Sequence, residues 1–148
     1  MRVFVGLCVL MLYVAAHGAV HVEFINSEEA RAANRPYSDA VRVGDMLYLS
    51  GAIGIKPGAS TPVSGGIGPQ VRQTMDNIKA VLAANGATLD QVVKCTVMLA
   101  DIDDYAAMNA IYVQYFPGEK PARSTFAASG LALGAKAEVE CWAVLKSP

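Results

Sequence analysis

The nine residues Ala137-Glu138-Val139-Glu140-Cys141-Trp142-Ala143-Val144-Leu145 decide how this chain folds, because their character alternates from one to the next. A strand points successive side chains to opposite faces, so Val139, Cys141, Ala143 and Leu145 share one face and Glu138, Glu140 and Trp142 share the other. The first set is small and apolar and suits a core packed under helices. The second carries two carboxylates and an indole onto the opposite face. Met46, Tyr48 and Ser50 of an upstream hairpin join that second face if the register allows. A sheet face that is half apolar and half acidic, on so small a domain, is a candidate self-association surface with polar groups trapped inside it. It is also the first place to look for a site.

Working outward, Arg123 to Ala128 reads as a strand, joined to the first stretch by a Gly-rich connection from Gly130 to Gly134. Before it, Tyr105, Met108, Tyr112 and Tyr115 keep helical spacing. Asp101 or Asp103 serves as the cap, and Phe116-Pro117-Gly118 is the stop. Val92 to Leu99 is a β-branched strand. The strongest helix places Pro69 at its first position, repeats Val71, Met75, Ile78 and Leu82, and stops at Asn85-Gly86. Ala40 to Val43 and Met46 to Ile53 form a hairpin around Gly44-Asp45, preceded by a polar segment from Asn26 to Arg35. The order ββ-α-β-α-ββ predicts an α+β domain with both helices on one face of a mixed sheet.

The chain has 148 residues, 53% of them hydrophobic and 17% charged, a composition that excludes disorder. Twelve Lys and Arg oppose thirteen Asp and Glu, so nothing marks a nucleic-acid or anionic-membrane partner. Part of the apolar content lies in Val3 to Ala16 behind Met1-Arg2. Those fourteen residues span ~21 Å as a helix, too short for a ~30 Å hydrocarbon core. Residues 1–18 therefore read as a signal peptide, with cleavage after Gly18 favoured over cleavage after Ala16, and 19–148 as the domain. Export to a periplasmic or secreted location follows, with no membrane contact after cleavage. Cys8 leaves with the leader. Cys95 and Cys141 are too few for a disulfide framework; an oxidising compartment allows them to pair, but two separate buried thiols are the simpler expectation. His21 has no Cys or His companions for a metal site. Asp101, Asp103 and Asp104 suit helix capping better than cation binding, and no Lys-Ser/Thr pair follows Gly65-Gly66-Ile67-Gly68 to make a phosphate loop.

One further string carries chemistry: Pro121-Ala122-Arg123-Ser124-Thr125-Phe126. A guanidinium holds a planar carboxylate through two parallel charge-assisted hydrogen bonds, and Arg123 at a strand start is expected to reach the same cleft as Glu138. Residues 36–144 resemble the reactive intermediate deaminase family (Rid, also called YjgF). The resemblance runs through Pro36-Tyr37-Ser38, Gly44-Asp45-Met46-Leu47-Tyr48-Leu49-Ser50-Gly51 and Gln73-Thr74-Met75-Asp76-Asn77-Ile78. It continues in Val93-Lys94-Cys95-Thr96-Val97, Met108-Asn109-Ala110-Ile111-Tyr112, Pro121-Ala122-Arg123-Ser124 and Ala137-Glu138-Val139-Glu140.

The resemblance implies a chorismate-mutase-like α+β fold and a homotrimer whose sheets line a central barrel, with three clefts between subunits. It also implies hydrolysis of 2-aminoacrylate-type enamines and 2-imino acids to 2-oxo acids and ammonia, without metal or organic cofactor. Arg123 matches the family's carboxylate clamp, and Glu138 matches the glutamate that holds and polarises the attacking water. Tyr37 matches an aromatic hydroxyl at the cleft mouth, and Ser50, Gly51 and Asn109 match residues near the bound acid. Thr125 stands in the substrate-binding region where many members have Cys. Asn34-Arg35 before Pro36-Tyr37, and Ala52-Ile53-Gly54 after Ser50-Gly51, depart from the family pattern in loops that shape the cleft. Glu140 reads as a pore-facing or salt-bridging carboxylate, and Trp142 and the tyrosines of the second helix as core or interface fillers. Two other functions compete: a non-catalytic trimer that binds small acids or protein partners, and an endoribonuclease, which the acidic balance disfavours.

Overall fold

The computed structural model describes residues 19–145, so the leader expected at 1–18 lies outside the described residues. The strands are β1 (Val22–Ile25), β2 (Ala40–Val43), β3 (Met46–Leu49), β4 (Ala52–Ile53), β5 (Val92–Leu99), β6 (Ala122–Ala127) and β7 (Ala137–Val144). The helices are α1 (Glu28–Ala32), α2 (Ile67–Ala84) and α3 (Tyr105–Tyr112). The sheet runs β1-β2-β3-β7-β5-β6, with β4 also on β7. Only β5 and β6 are parallel, which makes the sheet mixed, as expected.

In β7 the alternation holds: Ala137, Val139, Cys141 and Ala143 are completely buried, and Glu138, Glu140, Trp142 and Val144 are not. Val71, Met75, Ile78 and Leu82 of α2 close over the buried face. Helix α3 packs along α2 and adds Met108 and Tyr112 to the core. Helix α2 begins two residues before the expected Pro69, with Gly66 as cap residue. The missing N–H of proline is harmless anywhere in the first turn, so Pro69 marks the turn and not its first residue. Asp101 caps the short 3₁₀ turn Ile102–Asp104 that leads into α3, and Tyr115 falls in a second 3₁₀ turn after it.

Three further expectations need correction. The polar segment is not merely a connection: Ser27 accepts from the Ala30 N–H and starts α1, and β1 precedes it as an edge strand on β2. The run Met46 to Ile53 is not one strand. Tyr48 faces Trp142 but Ala52 faces Val139, so the register slips by one residue and Ser50-Gly51 bulges out between β3 and β4. The thiols are not separate. Cys95 and Cys141 sit directly opposite each other on β5 and β7, fully buried on the core face, and form a disulfide. Neither spacing nor composition reveals that register, which only the antiparallel pairing of two distant strands sets.

Among the described residues, no helix packs on the other sheet face. Val22, Phe24, Trp142 and Val144 are exposed there, and Tyr48 meets Trp142 edge to face at 5.2 Å.

Candidate functional site

The residues singled out by the sequence divide into two groups, each built on its own part of the fold. Glu138 stands on the open face of β7, opposite Ile53 and Met98. The bulge brings the backbone of Gly51 against its carboxylate so closely that a Cβ at residue 51 would fall on it. Only glycine permits that approach. Ser50 is a brace: its hydroxyl donates to the Ser38 carbonyl at 2.6 Å, and its N–H donates to the Asp39 carbonyl at 3.1 Å. The Ser38 end of this loop is fixed further, because Arg35 pairs with Asp39 at 3.3 Å and with Glu29 at 3.2 Å. The adjacent Tyr37 is left exposed at the rim of this half.

Arg123 lies elsewhere. In the parallel pairing Arg123 is in register with Cys95, and Thr125 with Val97, so both share the helix-covered face while Ser124 takes the open face beside Lys94. From there Arg123 meets α3. Its Nη2 donates to the Tyr105 hydroxyl at 3.0 Å, and its guanidinium carbon stands 4.8 Å from the Tyr112 ring centre and 5.8 Å from that of Tyr105. Cation–π attraction and the hydrogen bond together limit where the guanidinium can point. Asn109, four residues after Tyr105 and three before Tyr112, lies on the same helix face. Burial pushes the Tyr112 hydroxyl up to about 12, with the Arg123 charge acting in the opposite sense. Tyr112 fills the core as expected, and with Tyr105 it also meets Arg123. Their helical spacing was visible in the sequence, but their common partner on β6 was not.

Arg123 and Glu138 therefore do not share a cleft within one chain, since they stand on opposite faces of the sheet with β5 between their strands. One surface concavity of about 640 Å³, lined by Lys56, Ser64, Arg72, Asp76 and Ile111, touches neither group. A second groove of about 470 Å³ is lined by Arg35, Pro36, Tyr37 and Ser38 and reaches neither Glu138 nor Arg123.

The fold and this split set of polar groups define a YjgF-like α+β subunit. The chain belongs to the endoribonuclease L-PSP family, also known as Rid or YjgF, whose model matches residues 27–145. It is 42% identical over 127 residues to Reactive Intermediate Deaminase A, chloroplastic, of Arabidopsis thaliana, covering 86% of this chain and 68% of that one. It is 39% identical over 120 residues to 2-iminobutanoate/2-iminopropanoate deaminase of Mus musculus, covering 81% of this chain and 89% of that one. Among solved structures, the Rid-family protein YyfA of Yersinia pestis superposes with a TM-score of 0.78 at 39% identity, over 84% of this chain and all of that one.

Proposed function

We propose that this protein is an enamine/imine deaminase that hydrolyses 2-aminoacrylate-type enamines and 2-imino acids, and that it works as a homotrimer with its clefts between subunits. The observation that carries the reading is the placement of Arg123 and Glu138 on opposite sheet faces, next to an apolar face that no helix covers among the described residues. A second copy that covers that face brings the Glu138 half of one subunit toward the Arg123 half of another. The names of its relatives as deaminases support the chemistry.

In this mechanism Arg123 holds the substrate carboxylate, so that the C=N carbon stands in a constant place. Glu138, against the Gly51 backbone, orients a water and takes its proton as the oxygen adds to that carbon. Glu138 returns that proton to the nitrogen to give the carbinolamine, then takes the carbinolamine's hydroxyl proton and passes it to the nitrogen as the C–N bond breaks, so that a 2-oxo acid and ammonia leave. For an enamine, a proton added at carbon first gives the imine. Orientation and proton transfer are the two sources of rate.

Complementation tests the shared cleft. Arg123→Ala and Glu138→Ala should each lose turnover of 2-iminopropanoate generated in situ. Co-assembled in equal amounts, they should regain activity in about a quarter of the clefts, those pairing an intact Arg123 with an intact Glu138. Mixed assemblies as inactive as their parents would refute a cleft between subunits.

The Arg123 group by itself favours a second reading, a receptor for small carboxylic acids without turnover; acid binding with no activity on any imine would select it. The endoribonuclease reading borne by the family's name sits poorly with thirteen acidic against twelve basic residues. Export remains part of the proposal, with 1–18 as the leader and 19–148 as the domain. The Cys95–Cys141 disulfide is in keeping with an oxidising compartment. Mass spectrometry of the mature N-terminus tests it, and an intact Met1 would refute it.

A further inference from the structure

Two hydroxyls on the helix-covered side of the sheet are buried and have no hydrogen-bond partner among the described residues: those of Tyr112 and Thr125. A buried donor without an acceptor is destabilising, and phenylalanine at 112 with valine at 125 would fill the same space without that cost. Both hydroxyls flank Arg123. Tyr112 is 5% exposed, with its ring under the guanidinium, and Thr125 is two residues along β6 on the same face. The Tyr112 hydroxyl, raised to about 12, stays protonated at any physiological pH and is available as a donor. A carboxylate accepts about four hydrogen bonds, of which one edge of a guanidinium supplies two. Two hydroxyl donors make up the difference.

We propose that Tyr112 is a further substrate-binding residue whose hydroxyl, together with that of Thr125, donates to the carboxylate held by Arg123. The inference deepens the deaminase reading and rests on it for the class of acid, a 2-imino or 2-oxo acid. Tyr112 thus does two things: its ring carries the guanidinium and its hydroxyl meets the ligand. The two hydroxyls and the guanidinium then form one receptor for that carboxylate.

The test is calorimetric titration of the full-length assembled protein with 2-oxobutanoate, for the wild type, Tyr112→Phe and Thr125→Val, alongside thermal unfolding and gel filtration of each. Tyr112→Phe is expected to bind about tenfold more weakly, the scale of one lost hydrogen bond to an ionised group, with Tm unchanged or higher. A purely structural tyrosine would give the reverse, a lower Tm at unaltered affinity, and that result overturns the proposal. So does a variant that no longer assembles, because the hydroxyl then serves a subunit contact, and so does a wild type that fails to bind 2-oxobutanoate. Thr125→Val is expected to weaken binding in the same way, and unaltered affinity in both variants would be equally fatal. A wild type that binds 2-oxobutanoate through Tyr112 yet hydrolyses no imine sinks the deaminase reading and leaves this one standing.

Discussion

Gly51 and Arg123 show how single residues define the two halves of the candidate site. A methyl group at residue 51 would collide with the Glu138 carboxylate, so Gly51→Ala should displace that carboxylate and lower kcat/KM at least about tenfold, with little effect on Tm, because the bulge is partly exposed. Wild-type kinetics in Gly51→Ala would show that the Glu138 position is not critical. Tyr105 is a positioning residue, since its hydroxyl accepts one N–H of Arg123. In Tyr105→Phe the guanidinium is less well held, so KM should rise several-fold while kcat changes little. An equal fall in kcat at constant KM would contradict that role. Tyr112 and Tyr115 are both pushed up to about 12, mainly by burial. The unfolded chain releases these protons near pH 10, before the folded one does, so stability is flat with respect to these groups below pH 10 and falls as pH rises toward 12. Thermal melts across pH 8–11 of the wild type and Tyr115→Phe check this, with the variant expected to lose less.

At the level of elements, α2, β5 and β7 were legible because each buries one face completely, and a buried face leaves a periodic trace. The break at Ser50-Gly51 was not legible. A bulge is a difference in register between two strands, and the strand that sets the register here, β7, lies far along the chain. The same reason hid the disulfide. Cys95 and Cys141 are 46 residues apart, and closure of such a loop stabilises a fold by up to about 4 kcal/mol on the chain-entropy model. Cys95→Ala/Cys141→Ala should therefore unfold at clearly lower temperature than the oxidised protein, and reduction should move the wild type the same way. Coincident melting curves with and without reductant would show that the bond contributes nothing.

For the whole molecule, the uncovered face carries Phe24 on β1, Tyr48 on β3, and Trp142 and Val144 on β7. An exposed apolar patch of this kind marks an interface. Trp142→Asp places a charge in its middle and should yield smaller species by light scattering. It should also lose turnover although Arg123 and Glu138 are untouched, because in the proposed shared cleft neither half works alone. Full activity in a monomeric variant would refute the shared cleft.

The sequence by itself determined the α+β class, the two-faced character of β7 and the identities of Arg123 and Glu138. Each is a local property: a period, a residue type or a short string. Only the tertiary structure decided that Arg123 belongs with Tyr105 and Tyr112, that Gly51 supports Glu138, that the cysteines pair, and that the two halves stand on opposite sides of the sheet. Those facts follow from strand order and register, set by the joint burial of distant segments, and no local window of sequence contains them.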